Sequence, residues 1–150
     1  MPIFTVQQHA ARALHFDFRL EVDGVLRSWA VPKGPSTDPA EKRLAIEVED
    51  HEMSYADFEG RHGPGYGAGA VIVWDMGEYQ PQTEGDFGEA LDAGHASFWL
   101  EGRKLHGGWT LQRTDEGRKP QWLLIKKRDE HAGDPLEPES VLSGRTIDEL

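Results

Sequence analysis

The spacing with the most chemical content is His9…His15-Phe16-Asp17-Phe18-Arg19. Apolar and polar residues alternate strictly from Ala13 to Leu20. An extended strand therefore puts Leu14, Phe16, Phe18 and Leu20 on one face and His15, Asp17 and Arg19 on the other. On such a strand His15 and Asp17 stand about 6–7 Å apart, close enough for their side chains to converge on one ion. Two imidazoles and a carboxylate suit a divalent transition metal such as Zn, Mn or Fe. Arg19 continues that face, and its planar fork matches a phosphate. A metal beside an arginine is the arrangement that neutralises a phosphoryl group as its charge redistributes. Two other readings share these letters. An ordinary solvated strand face is polar anyway, and two histidines with a carboxylate also form the facial triad of iron oxygenases.

A second segment extends the pattern. Arg43 and His51 fall on one parity of Arg43–His51, opposite Leu44, Ile46 and Val48. Beside the first strand, Arg43 would clamp phosphate and His51 would protonate a leaving oxygen; the plain alternative is a wet face that His51 ends. Tyr55 either hydrogen-bonds a phosphate oxygen or packs beside Phe58. His62, His95, His106 and His131 lie near turns and read as surface residues. Trp29, Trp74, Trp99, Trp109 and Trp122 sit in strand patterns and read as core. Gly65-Tyr66-Gly67-Ala68-Gly69 resembles a phosphate cradle only loosely, because it opens no helix.

The elements that must position these groups are mostly short strands. Asp23-Gly24 is a favoured two-residue hairpin turn, followed by a strand over Val25–Val31 and a loop over Pro32–Pro39. Further strands are expected at Ala70–Trp74, Ala96–Leu100, Gly108–Arg113 and Trp122–Lys126, with one short helix at Asp86–Ala93. The expected fold is mainly β: a small antiparallel barrel of about eight strands with one or two short helices. Residues 1–150 read as one domain, residues 130–150 as a loosely packed acidic tail with a short helix at Thr146–Leu150.

Composition sets outer limits. The chain has no cysteine, so any metal sits on His, Asp or Glu. No apolar run approaches the length of a membrane span, and the N-terminus lacks the layout of a signal peptide, which points to the cytoplasm. The net charge of −11 argues against a protein that coats duplex. Seven acids against one base in residues 129–150 carry more than half of that excess, whereas the first 45 residues are closer to balance. An enzyme that works on ends needs to grip only a few phosphates.

Long blocks of the chain then resemble a known family. They include Gln8-His9-Ala10-Ala11-Arg12, Leu14-His15-Phe16-Asp17-Phe18-Arg19-Leu20-Glu21 and Asp23-Gly24-Val25-Leu26-Arg27-Ser28-Trp29-Ala30-Val31-Pro32-Lys33-Gly34-Pro35-Ser36. Glu49-Asp50-His51, Tyr55-Ala56-Asp57-Phe58-Glu59-Gly60 and Val71-Ile72-Val73-Trp74-Asp75 continue the match. The chain resembles the 3′-phosphoesterase module of bacterial DNA ligase D, which also occurs free-standing in bacteria and archaea. The resemblance implies an eight-stranded barrel with a groove on its surface and a manganese-dependent hydrolase of DNA repair. Such an enzyme removes a 3′-terminal ribonucleoside and then the 3′-phosphate, leaving a ligatable 3′-OH for non-homologous end joining. It implies His9, His15 and Asp17 as metal ligands, Arg19, Arg43, His51 and Tyr55 as catalytic groups, and Lys33 with Arg19, Arg43 and His51 on the phosphate. The implied partners are DNA 3′ ends at primer–template junctions and the ligase, polymerase and Ku of end joining, with the protein itself a monomer. One departure stands out: where the family reads Pro-x-Gly-Glu-Tyr-Gly-Ala-Gly, this chain has His62-Gly63-Pro64-Gly65-Tyr66-Gly67-Ala68-Gly69, without the glutamate.

Overall fold

Alternation of apolar and polar residues buries one face of each strand, and a sheet with one buried face is satisfied by closing on itself. The computed structural model describes residues 1–62 and 69–150. Its strands are β1 (Ile3–Ala10), β2 (Leu14–Val22), β3 (Val25–Val31), β4 (Arg43–Glu52), β5 (Gly60–His62), β6 (Gly69–Pro81), β7 (His95–Glu101), β8 (His106–Asp115) and β9 (Gln121–Lys126). Eight of them form an antiparallel ring in the order β1-β2-β3-β4-β9-β8-β7-β6, closed by β1 against β6, and β5 adds to the free edge of β6. The expected barrel is the observed one. Helix α1 (Phe87–Asp92) is capped by the Asp86 carboxylate, which accepts from the Glu89 amide. Among the described residues no helix is long and apolar enough to cross a membrane.

Inside the ring lie Phe4, Val6, Phe18, Leu20, Trp29, Val31, Trp74, Phe98, Trp109, Trp122 and Leu124, all buried. Four of the five tryptophans are core as expected, and Trp99 is half-buried. The Asp23-Gly24 turn is the expected hairpin: both residues have positive φ, 51° and 83°, which matches the twist of the flanking strands.

Three expectations need correction. First, β1 and β5 are additional strands. The alternating run in β1 is short and gives way to Gln7-Gln8-His9, so its extended state is held by β2 on one edge and β6 on the other. Gly69 permits that closure: a Cβ there, at φ 125°, would sit 1.9 Å from the Ala10 carbonyl oxygen. Second, the inward residue of β4 is Ala45, paired with Trp122, whereas Leu44 is exposed. Third, the expected helix at the end of residues 130–150 is shorter; the segment itself, mostly exposed with Ser140 buried, lies as a strap over the barrel. The Gly133 and Val141 amides donate to the Thr37 and Val73 carbonyls, Arg103 donates to the Val141 carbonyl, and the Ser140 hydroxyl donates to Glu59. The expected terminal helix is a single 3-10 turn, Ile147–Glu149.

Asp75 fastens the β7–β8 turn to β6. Its Oδ1 accepts from the Arg103 and Lys104 amides at 2.9 and 3.2 Å, and its Oδ2 from Leu105 at 2.9 Å, in a fully buried position. Asp75→Asn keeps the volume but turns an NH2 group onto one of these donors. We expect it to destabilise the protein by about 2–3 kcal/mol, read as a lower urea midpoint with unchanged m-value.

Candidate active site

The outer face of the β1–β2 hairpin carries a polar row built by strand register. Thr5 pairs with Arg19, Gln7 with Asp17, and His9 with His15. Directly opposed residues point to the same side of an antiparallel ladder. His9, His15 and Asp17 therefore share one face without any loop to position them. Their ligand atoms all lie within 4.8 Å of one another, so a single ion can touch all three. The rings of His9 and His15 meet edge to face at 5.2 Å.

The tautomer of His15 fits that role. Its Nδ1 lies 3.2 Å from the Ala13 carbonyl, which can only accept, so Nδ1 carries a proton. In a neutral ring Nε2 is then a lone pair, and it faces Asp17 Oδ2 at 3.2 Å. Two acceptors at that distance call for a positive charge between them, either a proton or a metal. Histidine ligands are commonly oriented by such a second hydrogen bond to a backbone carbonyl. In the metal-free protein the proton takes the place: the hydrogen bond to Asp17 raises the His15 pKa against the effect of burial. Burial alone would raise Asp17, but His15 and Arg19 outweigh it and hold the carboxyl below its ordinary range.

Arg19 is the centre of the polar row, and it is buried at 3% exposure on the outer face of the barrel. Its Nε donates to Gln7 Oε1 at 2.7 Å, and one terminal nitrogen donates to Ser28 Oγ at 2.8 Å and to His51 Nδ1 at 3.1 Å. The other terminal nitrogen is 3.5 Å from Asp17 Oδ2. Of five N–H groups, one or two remain for a phosphate. The guanidinium also lies 5.3 Å from the centre of the Tyr55 ring. Gln7 in turn donates to the Tyr55 and Phe58 carbonyls, and Thr5 to that of Ala56, so the segment after β4 roofs the row.

His51 reaches this face through a bulge. Ser28 pairs with Val48 but Leu26 pairs with His51, so β4 spends one more residue than β3 over that stretch. The extra residue flips parity and turns His51 toward Arg19. The His51 Nδ1 lies 3.1 Å from a terminal nitrogen of Arg19, which can only donate, and 3.2 Å from the Glu49 carbonyl, which can only accept, so that nitrogen stands between opposite demands. Burial and the neighbouring guanidinium push its pKa below the ordinary value. The same bulge separates Arg43 from His51, contrary to the parity expected from the sequence. Arg43 pairs with the buried Leu124 at the other end of β4, ion-pairs with Glu41 at 3.8 Å, and its buried Nε has no hydrogen-bond partner among the described residues. Lys33 is exposed in the turn after β3.

His62 belongs to the cluster, although its sequence context reads as surface. Its Nε2 is 2.7 Å from the Tyr55 hydroxyl, and its ring is 5.8 Å from that of His9. Gln7 and Ser28 were also missed as site residues. Shared parity with His9 on β1 is the signal that finds Gln7; Ser28 and His62 depend on pairings that only the fold supplies. The loosely cradle-like glycines and the position of the missing glutamate lie outside the described residues, apart from Gly69. A groove of about 670 Å³ leads from His51 along Glu47, Val48 and Glu49 to Arg118, Lys119 and Pro120. It exists because β4 pairs with β9 only from Arg43 to Ile46 and then runs on to Glu52.

Residues 7–113 match the family model described as the DNA ligase D 3′-phosphoesterase domain. The chain belongs to that family. It is 54% identical over 153 aligned residues, 96% of the chain, to the multifunctional non-homologous end joining protein LigD of Pseudomonas aeruginosa, of which it covers 18%. It is 42% identical over 85% of its length to the multifunctional non-homologous end joining DNA repair protein LigD of Mycobacterium tuberculosis, covering 16% of it. The corresponding protein of Mycolicibacterium smegmatis is 39% identical over 88% of the chain. The chain thus spans less than a fifth of the length of these relatives. Gln7, His9, His15, Asp17, Arg19, His51, Tyr55 and His62 all fall within the residues that the family model matches.

A cation that binds His9, His15 and Asp17 must displace the proton of His15, whose pKa is raised. Affinity is therefore expected to climb with pH up to the His15 pKa and to level off above it. Below that pKa it should drop by about tenfold per pH unit, measured as the half-saturating divalent-cation concentration between pH 5.5 and 8.

Proposed function

We propose that this cluster is the active centre of a divalent-metal-dependent phosphoesterase that heals DNA 3′ ends, with Mn²⁺ as the working ion. It removes a 3′-terminal ribonucleoside and then the 3′-phosphate that remains. The observation that carries the reading is the His15 lone pair set 3.2 Å from the Asp17 carboxylate, beside Arg19 on one barrel face. Membership of the phosphoesterase family and the end-joining names of the relatives support the substrate class.

In the first step water adds to phosphorus, the bond from phosphorus to the 5′-oxygen of the terminal ribonucleoside breaks, and that oxygen takes a proton. A divalent cation on His9, His15 and Asp17 supplies Lewis-acid neutralisation of a phosphate oxygen. The remaining free N–H of Arg19 points a fixed positive charge at the same group. Being buried and already hydrogen-bonded, that charge needs no reorganisation as the reaction proceeds. His51, once protonated, is our donor to the leaving oxygen through Nε2, the ring nitrogen that does not face Arg19. Its lowered pKa keeps the free ring neutral, and the negative charge of a bound phosphate favours its protonation. Lys33 and Arg43, at the rim where β3 ends and β4 begins, are assigned to the polynucleotide beyond the reacting phosphate. The groove past Val48 is assigned to the strand that leads to it.

A labelled primer–template whose primer ends in one ribonucleotide tests the reading. With Mn²⁺ it is expected to convert to a 3′-phosphate and then to a 3′-OH; with EDTA, or with His15→Ala, it should not. Arg19→Ala should cost on the order of 10²–10³ in rate, with circular dichroism confirming the fold. DNA-end binding that survives chelation, without product under any divalent cation, would replace the enzyme with a non-catalytic adaptor. For the groove, Arg118→Ala with Lys119→Ala should raise KM for primer–template and flatten its salt dependence by about one phosphate contact per residue, while kcat stays near wild type. An unchanged salt slope would remove the groove from the strand's path.

A further inference from the structure

The Tyr55 and His62 rings are nearly parallel, 13° apart with centres 5.9 Å from each other, and Phe58 stacks against both at 5.1 and 4.8 Å. The 2.7 Å contact between the Tyr55 hydroxyl and His62 Nε2 is thus held on an aromatic roof. A phenol has one proton. If Tyr55 donates it to His62, the hydroxyl turns lone pairs toward Arg19 and the ion site, where an anion would be repelled. If His62 donates from Nε2, the Tyr55 proton is free for a phosphate oxygen.

We propose that His62 is a positioning residue, which donates to the Tyr55 oxygen and so aims the Tyr55 proton at the bound phosphate. This rests on the phosphoesterase reading of the same site. The bound anion selects the arrangement, because only with His62 as donor does Tyr55 meet negative charge with a proton. Arg19 lies against the Tyr55 ring, its guanidinium carbon 5.3 Å from the ring centre.

The test is a double-mutant cycle on the ribonucleotide-terminated primer, with wild type, His62→Ala, Tyr55→Phe and the double variant. Each single change is expected to lower kcat by about tenfold, the equivalent of one hydrogen bond to a charged group. The double variant should be no slower than Tyr55→Phe, because His62 acts only through the hydroxyl. His62→Gln, whose amide also donates, should recover most of the loss. The half-saturating Mn²⁺ concentration should not move. Affinity for inorganic phosphate in the presence of Mn²⁺, followed by calorimetry, should show the same non-additivity. That measurement decides the role of the pair even if no DNA end turns over, which would sink the phosphoesterase reading instead. Losses that multiply in the double variant, or a tenfold weaker Mn²⁺ response in His62→Ala, would overturn the proposal. The second result would move the role of His62 to its neighbour His9.

Discussion

A guanidinium buried on the outside of a barrel must find its counter-charge and acceptors locally, and most of the site follows from how Arg19 does so. Asp17, two residues before it on the same face, supplies the negative charge. Gln7 and Ser28, on the flanking strands, supply neutral acceptors. His51 takes another N–H through its Nδ1. Removing any one of these partners leaves a buried donor exposed to a large desolvation cost. The polar row is therefore cooperative: the groups that would bind an ion and those that would move a proton are parts of one hydrogen-bond network.

Closure of the barrel is what makes that network rigid. β1 lies between β2 and β6 and is held along both edges, so His9 cannot drift from His15 without breaking sheet hydrogen bonds. Sites on paired strands are held more precisely than sites on loops. The bulge in β4 is the complementary irregularity. In a regular strand His51, three residues after Val48, would point to the opposite side, and the extra residue trades ladder pairing for that one orientation.

This division explains what could be read from the sequence. The strict alternation in Leu14–Leu20 and the Asp23-Gly24 turn are local signals, and both gave the right hairpin. The same alternation also grouped His15, Asp17 and Arg19 correctly. It left a solvated face open as the plain alternative, however, and Thr5, Gln7, Asp17 and Arg19 are buried, with Thr5 and Gln7 hydrogen-bonded to the Tyr55–Phe58 segment. Nothing periodic marks that roof. Periodicity likewise fails at a bulge, so Arg43 and His51 read as neighbours on one face when register separates them. His62 is legible only through the pairing of β5 with β6, a three-residue ladder too short to leave a pattern.

An acidic chain acting on a polyanion needs a further argument. A net six of its eleven negative charges lie in residues 129–150, which the strap holds against the barrel near Thr37, Glu59 and Val73. At long range the molecule repels duplex, and that repulsion is screened beyond roughly 8 Å at physiological salt. Attraction has to arise inside that distance, from Arg19, a bound cation and the few basic side chains at the rim and groove. An enzyme of the proposed kind gains little from sliding along DNA backbone, because phosphates away from the centre meet a few basic side chains and not a broad basic face. It gains most where a strand terminates and one phosphate can enter the polar row alone. On the proposed function, the charge distribution thus favours ends over interiors before any contact with a base is made.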